Sequence, residues 1–315
     1  MTGPVDPRIA VVGATGVVGA MTLALLAARG YRNVRAFASY RSIGQIVSFG
    51  GDTRVVEHAT PETLAAGDLD FALFSVGSRV SQELVPAVRD AGVVCIDKSS
   101  AFRLEPGIPL VVPEVNGDRA EQHEGIVANP NCCAIPLSSV LKPLHEAAAL
   151  AGVQVATYQS ASGAGMRRME WMRNLRPEEH DLAMDWTFDG VELEEETKLR
   201  EETRKILELH ELPISATCVR VPVLIGHAEA VWIELERPLS ADVARRVLAD
   251  TPGIQLEEFP TPRKASGNDG IFVGRIREDA GRLLLFLACD NLRKGAALNA
   301  IQIVELLMAR RAIPA

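Results

Sequence analysis

The first third of the chain alternates short unbroken apolar runs with stretches of helical spacing. Arg8-Ile9-Ala10-Val11-Val12, Val34 to Ala38, Phe71 to Ser75 and Val93 to Asp97 each read as a strand buried on both faces. Helices are predicted between them at Ala20 to Arg29 and Ser81 to Ala91, a rhythm that specifies an α/β, doubly wound parallel sheet. Gly125 to Ala128 ends one more buried strand, Asn129-Pro130 turns the chain, and Ala134 onward spaces its apolar residues as a helix. The texture then changes. Val153 to Ser160, Ser215 to Val223, Ala228 to Leu235, Ile271 to Arg277 and Arg282 to Cys289 are strands with few helices between them, which predicts a mixed or antiparallel sheet in an α+β second domain. An amphipathic helix follows Gly165, the charge-rich Glu192 to Glu211 reads as a mostly solvated helix, and Gly295 to Arg310 has a broad apolar face expected to pack back on the first domain. The expected division is 1–131 with 295–315, and 132–294.

Composition narrows the function classes. The 315 residues are 47% hydrophobic and 23% charged, a soluble globular balance with room for two domains. A formal net charge of -8 argues against nucleic acid or an anionic membrane surface as the main partner, since both select a basic face. The five cysteines show no CxxC and no ligand spacing with histidine, so no metal site is expected, and their odd count fits a reducing, cytoplasmic compartment. Ile9 to Ala28 carries no charge, but Gly13, Gly16 and Gly19 divide it into strand, turn and helix rather than a membrane span.

Candidate chemistry gathers at four places. Gly13-Ala14-Thr15-Gly16-Val17-Val18-Gly19 joins the first strand to its helix, where backbone amides can approach a pyrophosphate, although the same glycines also serve a merely tight turn. The second strand ends in Ser39-Tyr40-Arg41-Ser42, and an arginine with hydroxyls there suits a 2′-phosphate, so NADP is preferred to NAD. Arg103, in the polar loop after Asp97, is a candidate anion clamp. Cys132 falls where a strand hands over to a helix N-terminus, a position that favours thiolate and offers N–H groups to an oxyanion, whereas Cys133 reads as core filler. Of the six histidines only His227 has an apolar strand frame with a glycine beside it, and with a positioned cysteine it becomes a candidate acid/base.

The ordered set GATGVVG, ASYRSIG, SSAFR, VVPEVN, ANPNC, SGAG, ATCVRVPVLIGH, FVGRIRED and DNLRKGAALNAIQI resembles the aspartate-semialdehyde dehydrogenases over essentially the whole chain. The resemblance implies a Rossmann-type NADP-binding domain, a catalytic and dimerisation domain, and a homodimer or homotetramer. It implies reversible reductive dephosphorylation of aspartyl phosphate to aspartate semialdehyde with NADPH, Cys132 forming a thioester, Gln159 orienting substrate and His227 donating and accepting the proton. It further gives Arg220 the substrate α-carboxylate, Glu195 the ammonium, and Arg103 and Lys198 the phosphate. Gly13, Thr15, Gly16, Val17, Val18, Arg41, Ser42, Ser162, Gly163 and Asn291 match cofactor positions. Two features depart from the family pattern: Lys98 stands where asparagine is usual, and the segment between Gly165 and Glu195 lacks an Asn-x-Ile-Pro element. The N-acetyl-glutamyl-phosphate reductases, which need no ammonium partner and usually place glycine before the cysteine, are the alternative enzyme. A catalytically silent paralogue is the other.

Overall fold

A computed structural model describes residues 6–66 and 68–311. The chain forms two compact units, one running to Pro130 and resuming at Ala296, the other spanning Asn131–Gly295.

The first unit is built from β1 (Ile9–Val12), α1 (Val17–Ala28), β2 (Val34–Ala38), β3 (Ile46–Phe49), β4 (Asp52–His58), α2 (Pro61–Leu64), β5 (Phe71–Phe74), α3 (Ser78–Asp90), β6 (Val94–Asp97), α4 (Pro113–Asn116) and β7 (Ile126–Ala128). Its sheet has the order β3-β4-β2-β1-β5-β6-β7, parallel throughout except for the β3–β4 hairpin. Because successive side chains point to opposite faces, β1 feeds two cores: Ile9 and Val11 pack with α1, while Ala10 and Val12 pack with Leu84, Val85 and Val88 of α3. That double burial is why the strands read as unbroken apolar runs.

The second unit contains α5 (Ala134–Ala148), β8 (Leu150–Gln159), α6 (Met166–Arg173), α7 (Glu194–Leu207), β9 (Ile214–Arg220), β10 (His227–Leu235), α8 (Ala241–Ala249), β11 (Ile254–Leu256), α9 (Pro262–Ala265), β12 (Ile271–Asp279) and β13 (Arg282–Cys289). Its mixed sheet runs β11-β12-β13-β10-β8-β9, antiparallel from β12 to β8 and parallel at both edges. After a π-helical turn at Arg293–Ala297, α10 (Leu298–Arg311) rejoins the first unit, where Leu298, Ile301, Val304 and Leu307 enter the α1-side core.

Three elements add to the sequence expectations or change them. The β3–β4 hairpin turns at Gly50-Gly51, with Gly50 at φ 61, and went unread because Ile46 and Val55 face solvent and blur the alternation. Helix α8 is one of the few helices expected between the strands of the second unit, in a stretch to which the sequence assigned no element. Helix α7 is not mostly solvated: Glu195, Glu196 and Glu202 are buried on one side because each finds amide donors there.

Candidate active site

The second sheet presents two rows of side chains to α5 and α7. The upper row carries Arg220 beside Gln159 on β9 and β8, and His227 beside Cys289 on β10 and β13. One step below lie Cys218, Thr157, Glu229 and Leu287 in register across the same strands. All eight are buried.

Cys132 sits just before α5, with Cys133 as the N-cap residue. Asn131 fixes this entry. Its Oδ1 accepts from the Cys133 N–H at 2.8 Å, its own N–H donates to Glu202 at 2.6 Å, and its Nδ2 donates to Glu195 Oε1 at 3.0 Å. A Cβ on Gly295 would stand 3.2 Å from the Cys132 Cβ, so the π-turn passes directly beside that cysteine. Of the five free cysteines, Cys132 alone is not fully buried. Contact with the Cys132 sulfur, and then burial, hold the Cys133 thiol well above its ordinary range, and burial does the same for Cys218 and Cys289.

The sulfurs of Cys132 and Cys133 and an imidazole nitrogen of His227 lie within 4.8 Å of one another, a cluster that sequence spacing concealed. His227 Nδ1 accepts from the Ser160 N–H at 2.9 Å. A peptide N–H can only donate, so the neutral ring carries its proton at Nε2, which has no hydrogen-bond partner among the described residues. A protonated Nε2 serves as a donor, not as a metal ligand. Gly163 leaves room beside it: a Cβ there would come within 3.1 Å of Nε2.

Gln159 Nε2 bonds to Thr157 Oγ1 at 3.3 Å and Glu195 Oε1 at 3.2 Å, so Glu195 Oε1 receives amides from both Asn131 and Gln159. Arg220 is held on three sides: Nε to Asp185 at 3.0 Å, Nη1 to the Ser160 carbonyl at 2.9 Å, and its guanidinium 4.6 Å from the Trp186 ring centre. Reciprocal backbone bonds between Ala183 and Arg220 dock this segment along β9. Lys198 lies further out, paired with Glu194. Ser162 and Asn291 bond to each other at 3.0 Å, and Asn291 Oδ1 also takes Ser160 Oγ and the Gly226 N–H, tying the turn after β8 to the start of β10. Asp185, Trp186, Ser160 and the Asn131 side chain escaped the sequence reading. Only Glu229 left a signal, as a carboxylate inside an apolar strand two residues after His227.

The first unit holds the remaining expected residues. Gly13 has φ 86, and a Cβ on Gly19 would stand 2.1 Å from the Gly13 carbonyl oxygen, so strand, turn and helix close as tightly as a pyrophosphate loop requires. Gly16 caps α1 without a side-chain hydrogen bond, and Thr15 is exposed beside it, with Val17 and Val18 half-buried in the first turn. This turn fits a dinucleotide. Arg41 is exposed and Ser42 half-buried after β2. Arg103 is buried, donating to the carbonyls of Asn129 at 3.0 Å and Lys98 at 2.6 Å.

Residues 8–123 match the family model described as semialdehyde dehydrogenase, NAD binding domain, and residues 141–294 match semialdehyde dehydrogenase, dimerisation domain. An aspartate-semialdehyde dehydrogenase of Prochlorococcus marinus is 43% identical, with 96% of each chain covered. Among solved structures, aspartate semialdehyde dehydrogenase II of Vibrio cholerae, complexed with ASA, superposes with a TM-score of 0.91 at 36% identity over 98% of this chain and 99% of that one. The Candida albicans enzyme, solved with NADP, gives 0.78 at 26% identity over 98% and 99%. With a strand-to-helix cysteine facing an imidazole in a matching two-unit fold, the chain belongs to the aspartate-semialdehyde dehydrogenase family, oxidoreductases of amino-acid biosynthesis.

Proposed function

We propose that this protein carries out the NADP-dependent, reversible reductive dephosphorylation of L-4-aspartyl phosphate to L-aspartate 4-semialdehyde, on the way to lysine, threonine and methionine. The observation that carries the reading is the Cys132 sulfur within 4.8 Å of the His227 ring, at the mouth of α5 and over the row that bears Gln159 and Arg220. Cys132 attacks the acyl carbon, the C–O bond to phosphate breaks, and a thioester remains on sulfur. The Nε2 proton of His227 faces the oxygen on which charge develops. Arg220 keeps Nη2 for the substrate α-carboxylate, its other guanidinium nitrogens being engaged by Asp185 and the Ser160 carbonyl. Glu195 Oε2 takes the ammonium, which an N-acetylated glutamate analogue lacks; this favours the aspartyl substrate. Arg103 and Lys198 serve the phosphate. The glycine turn at Gly13 to Val18 and Arg41-Ser42 hold NADP, and Ser162, Gly163 and Asn291 are the cofactor positions of the second unit. NADPH, when bound, supplies the hydride that takes the acyl group to the aldehyde. The protein works as a homodimer or homotetramer in the cytoplasm; no helix among the described residues is long and apolar enough to cross a membrane.

Cys132→Ala is expected to lower phosphate-dependent oxidation of aspartate semialdehyde by about a thousandfold or more while NADPH still binds, as read by its fluorescence. Retained turnover would remove the thioester route. Arg41→Ala is expected to weaken NADPH about tenfold with little change for NADH. Equal losses in titrations of the two would contradict the 2′-phosphate assignment.

A further inference from the structure

The segment between Gly165 and Glu195, which departs from the family pattern, docks on the second sheet where Arg220 lies. The sheet ends at β9, and Ala183 adds to that edge as an antiparallel bridge: its N–H donates to the Arg220 carbonyl at 3.0 Å, and its carbonyl accepts the Arg220 N–H at 2.8 Å. Two residues on, Asp185 Oδ1 accepts from Arg220 Nε at 3.0 Å, and the Trp186 ring centre lies 4.6 Å from the guanidinium carbon. The strap is closed at its other end, where the Thr187 carbonyl accepts the Glu194 N–H at 2.8 Å in the first turn of α7. Glu195 is the next residue of that turn. A single short strap therefore runs from the arginine of the site to the helix start that bears its glutamate.

We propose that Asp185 and Trp186 are positioning residues for the α-amino-acid end of the substrate: they fix the Arg220 fork for the carboxylate, and their strap ties that fork to the helix turn that presents Glu195 to the ammonium. The proposal rests on the reading of Arg220 and Glu195 as those two partners. An aromatic ring over the flat face of a guanidinium leaves its in-plane N–H donors free for hydrogen bonds. Trp186 also keeps water from one face of an arginine that is otherwise buried, and a carboxylate binds a dehydrated guanidinium more strongly. Asp185 orients Arg220 without neutralising the site. Its other oxygen lies 3.6 Å from Arg168 Nη2 on α6, so one carboxylate is shared by two guanidiniums and positive charge is left for an incoming anion. An α-amino acid carries its ammonium and carboxylate on one carbon, so their partners must keep a fixed separation, and a strap bonded at both ends holds it.

The test is steady-state kinetics of the full chain, oxidising aspartate semialdehyde with NADP and phosphate. Asp185→Ala is expected to raise KM for aspartate semialdehyde about tenfold, while kcat and the KM for phosphate stay within about twofold. Asp185→Asn, which keeps an oxygen for Nε, should recover most of that loss. Trp186→Ala should raise the same KM about fivefold, and Trp186→Phe, which keeps a ring face, should restore it. Arg220→Lys, which keeps the charge and loses the fork, is the reference and should raise that KM at least as far as Asp185→Ala does. Combining the two should cost little more than Arg220→Lys alone. A higher KM in Arg220→Lys with none in Asp185→Ala and Trp186→Ala would overturn the proposal and leave the reading of Arg220 standing. Equal rises for aspartate semialdehyde and phosphate, or no rescue by asparagine and phenylalanine, would reduce the strap to a structural support and overturn it as well. An unchanged KM in Arg220→Lys would remove the carboxylate reading, and the proposal with it. If Asp185→Ala does not fold, the two Trp186 variants decide the matter.

Discussion

Lys98 places an ammonium beside Asp97 in the loop after β6, with Nζ on Ser75 Oγ at 2.9 Å. Burial pushes it down to about 7, against the opposing pull of Asp97. A lysine whose folded value lies below its unfolded one weakens the fold while it is charged. That cost is complete below about pH 7 and fades as the pH rises from there towards the unfolded value, near 10.4 for a free lysine. Lys98→Met is therefore expected to gain more stability at about pH 6 than at about pH 9, measured by urea unfolding at both, and an equal gain would refute the burial argument. Cys132 and His227 were legible in the sequence because position alone marks them, at a strand-to-helix junction and in an apolar strand. Asp185 and Trp186 were not, since they meet Arg220 only through the Ala183 bridge, a long-range contact that no local period announces.

The junction of β1 and α1 depends on what glycine lacks. A methyl group on Gly19 would overlap the Gly13 carbonyl at 2.1 Å, and backbone cannot swing away as a flexible side chain does. Gly19→Ala is expected to cost about 1–3 kcal/mol and to weaken NADPH binding, checked by denaturant unfolding and fluorescence titration. Unchanged affinity in a folded variant would separate the turn from the cofactor. Most elements could be read from period, because strands buried on both faces and helices with one apolar stripe leave clear signatures. The failures have a common cause. Outward apolar residues hid the β3–β4 hairpin, and buried glutamates made α7 look solvated, since a carboxylate satisfied by amides cannot be told from one in water by residue type.

At the scale of the molecule, the second unit is an insertion within the first. The broad apolar face of the last helix predicted its return, and Leu298, Ile301, Val304 and Leu307 do enter the core built on β1 and α1. Asn299 adds buried side-chain bonds to Val111 and Asn129. What no composition disclosed is that the sheet rows align Arg220, Gln159, His227 and Glu229 under one helix entrance, for that follows from strand register. The insertion has a consequence for biogenesis. A ribosome delivers β1 to β7 first, yet part of their greasy surface stays bare until the final helix leaves the exit tunnel, by which time the inserted half has all of its residues. Early release of the nascent polypeptide would therefore leave the nucleotide-binding half sticky and unfinished, a substrate for chaperones and proteases.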